Sequence, residues 1–335
     1  MIGFELYLKR NSKKFDEYLA TFFADGTHPD MRRYLYGPLA VYTANAGKRH
    51  RPLICMLACE AVGGDPDMAR SAAAAIEHFH TAALIHDDIE DASDTRRGEP
   101  CLHIKEGVGL AINAGDLALS LVTGTVVDDP GLGDAVKLRV LHELVEMTTR
   151  TIEGQALDIG WARDDRFDLT VDDYLLMANH KTAFYSGAVP LAIGSIIGGG
   201  TETQTATLRE FGMASGLAFQ IQDDVLNLVG TREATKKDFR SDITEGKRTL
   251  VAVHALGHSA RRERLLAIFS AHATDPAVLA EAVDIMREAG SIDFANRHAE
   301  QLVLDAKRAL EVELPKSKAR GMLASMADFF IKRNN

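Results

Sequence analysis

Hydrophobic positions along this chain recur with the helical period almost throughout. Strict apolar–polar alternation, the mark of a half-buried strand, is nearly absent, and β-branched residues do not gather in short runs between turns. Helix starts are legible. Asp65-Pro66 sets a cap and an early proline ahead of Ala72-Ala73-Ala74-Ala75. Thr201 with Gln204 makes a capping box, and Thr170 with Asp173 a weaker form of it. Breaks fall at Gly63-Gly64 and within residues 128–133, 161–168, 198–200, 230–246 and 272–276. The segments between them predict a single all-α domain, residues 1–335, of about ten to thirteen helices.

Two interruptions of this pattern carry the chemistry. His86-Asp87-Asp88-Ile89-Glu90-Asp91 and Gln222-Asp223-Asp224-Val225-Leu226-Asn227 place acids inside apolar helical runs. Four positions apart, Asp87 and Asp91 share one helix face; Asp223, Asp224 and Asn227 share another. Carboxylates about 4 Å apart repel by roughly 1 kcal/mol in water and roughly 4 kcal/mol where partly buried. A cation is therefore expected beside them. Acids with no His/Cys ligand set nearby suit Mg²⁺, which keeps several waters and meets substrate phosphates. An EF-hand does not fit, because its loop would need oxygen ligands at Ile89 or Ala92. A solvated acidic helix end explains little, since acids at a C-terminus oppose the helix dipole.

The residues around the acids extend this reading. His80, Ala83, Asp87 and Asp91 form one stripe. Ala82 and Ala83 leave room beside the acids, and Phe79, one turn deeper, would close it. Thr95-Arg96-Arg97-Gly98 follows, with paired arginines able to fork onto phosphate oxygens. Gly47-Lys48-Arg49-His50-Arg51-Pro52 is a basic segment at a helix start, where anions are favoured. Lys181-Thr182 is mid-helix, and Gln220 points toward Asp223, Asp224 and Asn227. Lys237, Asp238, Asp242 and Glu245-Gly246-Lys247-Arg248-Thr249 make a charged loop after the second acid cluster.

Composition narrows the field. A chain of 335 residues that is 46% hydrophobic can bury a large core. A net charge of −10 argues against a nucleic-acid partner, which wants a basic face. Three cysteines (Cys55, Cys59, Cys101) cannot all pair, which favours a reducing compartment, and Cys55 and Cys59, one helical turn apart without ligand companions, read as buried core cysteines. No stretch of signal-peptide character follows the N-terminus, and the weakly polar stretch near residues 187–200 is too short to span a bilayer. A cytoplasmic protein without a transmembrane segment is expected.

Taken in order, these motifs resemble the trans-isoprenyl diphosphate synthases, or polyprenyl synthetases. The resemblance rests on Gly47 to Pro52, His80 to Gly98, Lys181-Thr182, Phe219 to Asp224 and Glu245 to Thr249, and spans roughly residues 35–330. It implies the isoprenoid synthase type I fold, with helices around a central cavity, and a homodimer. It implies head-to-tail prenyl transfer between isopentenyl diphosphate and an allylic diphosphate (dimethylallyl, geranyl or farnesyl), with three Mg²⁺ against the leaving diphosphate. By that resemblance Asp87 and Asp91, with Asp88 beside them, serve two ions, and Asp223 serves the third, supported by Asp224. Arg96, Lys181, Lys237 and Lys247 would hold the allylic diphosphate. Lys48, Arg51, His80 and Arg97 would hold isopentenyl diphosphate. Thr182 and Gln220 would place oxygens near the developing cation. One position departs from the family pattern: Asn227 stands where the second motif usually ends in Asp.

Two rival readings explain less. A class I terpene cyclase leaves Lys48, Arg51 and Arg97 without a task, and its second acid motif has a different form. A non-catalytic partner subunit would lack acids that this chain retains. Product length is read from the stripe before Asp87. Family members that stop at the fifteen-carbon farnesyl chain often carry aromatic rings where Ala82 and Ala83 stand. Phe79 is the candidate floor, with Leu119 and Ser120 on the opposite wall. The expectation is geranylgeranyl diphosphate (C20), with C25 or longer as the alternative.

Overall fold

The computed structural model describes residues 3–23, 26–45, 47–230 and 239–331. Lys237 and Asp238 lie outside the described residues. Among the described residues, the fold is all-α, about 80% helical with fifteen helices. Short helices such as Leu102–Glu106 and Ser241–Thr244 carry the count past the number the breaks suggest. Among the described residues, strand is confined to one hairpin, Thr95–Arg96 paired antiparallel with Glu99–Pro100.

The chain divides into two compact units. The first comprises Met1–Glu146, Pro190–Thr205 and Pro315–Leu323. Its centre is the helix Arg70–Glu90 against the helix Val108–Val127. Alanines make that approach close. Ala82 and Ile85 share a buried cluster with Ala111, Ala114 and Ala118, sealed by Leu39 and Leu102. Gly115 belongs to the same crossing, since a Cβ there would meet the His86 ring at 2.3 Å. Cys55, Cys59 and Cys101 are all buried and form no disulfide with one another, and the sequence reading had expected burial of Cys55 and Cys59.

Helix Val108–Val127 corrects one expectation. It is long and apolar enough, by length and composition, to cross a membrane, whereas the sequence reading looked for such a stretch near residues 187–200. Periodicity hid it, because its alanine face packs inward while Val108, Ile112 and Val127 are exposed.

The second unit comprises Met147–Val189, Ala206–Leu314 and Ala324–Asn335. Here the long helix Glu202–Val229 lies against Asn179–Ala188, which is wound as a π-helix. Gly187 and Gly212 meet backbone to backbone, and a Cβ on Gly216 would press on the Ala183 backbone at 2.9 Å. Glycine at these positions lets the two segments touch without side chains between them. Upstream, Thr170 and Asp173 form the full reciprocal capping box that opens Val171–Ala178, stronger than the sequence reading supposed.

Candidate active site

In the first unit, the helix Arg70–Glu90 stops at Asp91, whose N–H donates to the Asp87 carbonyl at 2.9 Å. The three motif acids have different surroundings. Asp87 is half-buried and Asp91 exposed, whereas Asp88 is 1% exposed. Both Asp88 oxygens are engaged: Tyr42 donates its hydroxyl to Oδ2 at 2.8 Å, and Arg96 donates Nε to Oδ1 at 2.6 Å. Arg96 also reaches Asp87 Oδ2 at 3.1 Å. Burial opposes the Arg96 charge, but Asp88 and Asp87 outweigh it and raise the guanidinium pKa. Burial, and then the Asp88 charge, push the Tyr42 hydroxyl far above its ordinary range.

The arginine pair owes its placement to the hairpin. Arg96 ends the first strand, and Arg97-Gly98 forms the two-residue turn with φ of 54° and 84°. Positive φ at both turn positions matches the twist of the flanking strands. Arg97 donates to the Asn45 carbonyl at 2.7 Å.

The basic segment divides by role. Arg49, left-handed at φ 52°, is buried and bonded to Glu77 at 2.5 Å, Asp16 at 2.6 Å and the Thr43 carbonyl. It ties the N-terminal helix to the centre of the unit. Lys48 before it is exposed. Arg51 is buried and lies 3.2 Å from His80 Nε2. Burial, then Arg51, Arg97, His50 and Arg49, hold the His80 pKa well below its ordinary value. The ring is therefore neutral, and its Nε2 accepts from Arg51. Burial, and then Arg49 and Arg51 against the opposing pull of Glu77, also lower the Arg97 pKa. The guanidiniums of Arg51 and Arg97 beside the neutral His80 offer N–H donors to an anion.

Among the described residues of the second unit, five helical segments contribute to its acid cluster. Asp223 is half-buried, and Asp224 is buried. Thr182 donates to Gln220 Oε1 at 2.8 Å, and Gln220 donates through Nε2 to Asp224 Oδ1 at 2.7 Å. Tyr174 donates to Asp224 Oδ2 at 2.8 Å. Burial, and then the neighbouring Asp242, raise the Asp224 pKa. Burial likewise raises Asp242, against the opposing pull of Lys247. Lys247 lies 2.7 Å from Glu245 and 4.0 Å from Asp242. Lys181 is bonded to Asp158, whose charge survives burial because Lys181, Lys247 and Arg248 favour it. Asn227 bonds the start of the helix Ser241–Thr244: Nδ2 donates to Ser241 Oγ at 3.2 Å, and Oδ1 accepts the Asp242 N–H at 3.3 Å.

Three participants were not singled out from the sequence, Tyr42, Tyr174 and Asp158, while the half-buried Asp242 was read only as part of a charged loop. A signal existed for one. Gly154 lies one turn before Asp158, and a Cβ there would strike the Lys181 backbone at 2.2 Å, so a glycine inside a long polar helix marked the crossing. The π-winding of Asn179–Ala188 left no trace in periodicity, yet it is where Lys181 and Thr182 sit.

The chain-length candidates separate. Phe79 and Ala82 are buried, Ala83 is half-buried, Leu119 packs against the alanine cluster, and Ser120 is exposed.

Among the described residues, no three His, Cys, Asp or Glu side chains gather tightly enough to hold an ion alone. Paired carboxylates flanked by cations fit Mg²⁺, which takes one or two protein oxygens and completes its shell with water and phosphate.

The polyprenyl synthetase family model matches residues 32–286. A short chain isoprenyl diphosphate synthase of Methanothermobacter thermautotrophicus is 42% identical over 291 residues, covering 86% of this chain and 87% of that one. Among solved structures, geranylgeranyl pyrophosphate synthetase from Pyrococcus horikoshii aligns with a TM-score of 0.91 at 35% identity, covering 98% of both chains. Geranylgeranyl pyrophosphate synthase from Corynebacterium glutamicum, complexed with isoprenyl diphosphate and magnesium, aligns at 0.86 with 29% identity and 98% coverage of each chain. The acid pairs, the cation clusters and the matched span agree: the chain belongs to the polyprenyl synthetase family and is a trans-prenyltransferase acting on isoprenyl diphosphates.

Proposed function

We propose that this enzyme condenses isopentenyl diphosphate with an allylic diphosphate and releases geranylgeranyl diphosphate, using three Mg²⁺. The observation that carries the metal assignment is the unequal setting of the first acid motif. Asp88 has both oxygens bonded, while Asp87 and Asp91 keep access to solvent. Asp87 and Asp91 therefore serve two ions and Asp88 does not, which departs from its inclusion with them on sequence alone. Asp223 serves the third ion, and Asp224 holds Gln220 and Tyr174 in place. When bound, Mg²⁺ neutralises charge developing on the leaving diphosphate. Arg96, Lys181 and Lys247 add fixed positive charge at the allylic diphosphate. Lys48, Arg51, Arg97 and the neutral His80 bind isopentenyl diphosphate. Thr182 and Gln220 present oxygens to the allylic cation, which isopentenyl diphosphate attacks before a proton passes to the departing diphosphate. The test is product mass spectrometry with isopentenyl diphosphate and each allylic primer, with and without chelator. Full turnover in excess chelator would refute the metal assignment.

The active form is a cytoplasmic homodimer. Its support is a row of exposed apolar side chains, Leu138, Val145, Ile152 and Ile159, spaced seven residues apart along the helix Asp134–Arg163. That spacing marks one helix face ready for a second copy. Sedimentation of the wild type beside Ile152→Asp tests it: a dimer and a monomer, respectively, are expected.

A further inference from the structure

The most enclosed acid of the first motif has two partners and belongs to neither metal nor substrate. Asp88 accepts from Tyr42 on one oxygen and from Arg96 on the other, at 2.8 Å and 2.6 Å. Its carboxylate is 1% exposed, so an unbonded oxygen there would be costly. Arg96 is placed differently. Its side chain keeps 31% exposure and flanks a cavity of about 600 Å³ that Tyr42, Val41, Leu102 and Lys105 also line. Close packing does not hold the guanidinium on that side. Hydrogen bonds do, and the one nearest its stem is donated to Asp88. The chain is thus Tyr42 hydroxyl, Asp88 carboxylate, Arg96 guanidinium, with Asp87 at 3.1 Å at its far end.

We propose that Tyr42 and Asp88 are positioning residues that set the Arg96 guanidinium for the allylic diphosphate. This rests on the reading of Arg96 as an allylic diphosphate residue. Tyr42 fixes the plane of the Asp88 carboxylate, and that carboxylate fixes the direction in which Arg96 presents its remaining N–H groups. Without the tyrosine hydroxyl, the carboxylate can turn, and the arginine can swing into the cavity beside it.

The experiment is a double-mutant cycle on the full-length enzyme with Tyr42→Phe and Arg96→Gln. Tyr42→Phe keeps the ring and removes one hydroxyl. It is expected to raise the allylic KM roughly fivefold to tenfold, the size of about 1 to 1.4 kcal/mol from one lost hydrogen bond. The KM for isopentenyl diphosphate should not move. In the Arg96→Gln background the same substitution should have no further effect. Asp88→Asn gives a second variant, with Tyr42→Phe available should it fail to fold. Wild-type kinetics in Tyr42→Phe beside an impaired Arg96→Gln would overturn this proposal alone. An equal penalty in both backgrounds, or equal shifts in both KM values, would overturn it as well. An unimpaired Arg96→Gln would remove the underlying role of Arg96 and the proposal with it.

Discussion

The helix before the first acid motif presents two alanines in adjacent positions, and the structure gives them opposite fates. Ala82 is fully buried against Ala111, Ala114 and Ala118. A phenyl ring has no room there, and overpacking of this kind costs about 1–3 kcal/mol. For a chain of this size that is a drop of roughly 1–4 °C in Tm. Ala83 is half-buried, so a ring there has space to stand beside the acids. A product one isoprene unit longer buries five more carbons, worth roughly 4 kcal/mol at about 0.8 kcal/mol each. Elongation thus stays favourable until a side chain blocks it, and Ala83→Phe supplies that block. The expected result is a shift from C20 toward C15 with little change in Tm for Ala83→Phe. Ala82→Phe should lower the Tm, in contrast to the sequence reading, which gave both alanines the same role. Products are separated by reversed-phase chromatography and identified by mass, and melting is followed by circular dichroism. A shortened product with an unchanged Tm in Ala82→Phe, beside wild-type products in Ala83→Phe, would refute this reasoning.

Asp87→Ala and Asp223→Ala should abolish turnover while the metal-free protein melts no lower, because removing one acid relieves repulsion within its cluster; a large fall in Tm with normal specific activity would show these acids to be structural. Lys48→Ala and Arg97→Ala should raise mainly the KM for isopentenyl diphosphate, whereas Lys247→Ala should act on kcat or the allylic KM. Equal effects on both substrates from all three would remove the two-site assignment. Burial raises the Asp242 pKa from the ordinary carboxylate range to about 7. Between those values the unfolded chain binds fewer protons than the folded one, so in chelator this group lowers stability as pH rises. Denaturant titrations at pH 5 and pH 8 should show that Asp242→Asn gains more stability over the wild type at pH 8 than at pH 5.

Helical periodicity and the acid interruptions were readable because each depends on residues near one another in the chain. The all-α class, the capping boxes at Thr170 and Thr201, and the charged motifs all have local causes. Partners supplied by distant segments were not readable. Tyr42 lies 46 positions from Asp88, and Tyr174 lies 50 from Asp224, so neither carries a mark of its role. The same limit explains why Ala82 and Ala83 looked equivalent: only the neighbouring helix distinguishes them. Asp88 looked like its neighbours for a similar reason. A run of acids does not disclose which one turns inward.

Arg97 sits at φ 54° in a two-residue turn, where asparagine or glycine would be the more comfortable residue. An arginine there costs about 1–2 kcal/mol of backbone strain. Selection for thermal stability alone would therefore drive this position away from arginine. A library screened only for melting temperature should enrich Asn or Gly at Arg97, and its winners would be sturdier and catalytically poorer. Given the proposed role of Arg97 at isopentenyl diphosphate, the turn is a place where durability and activity pull in opposite directions.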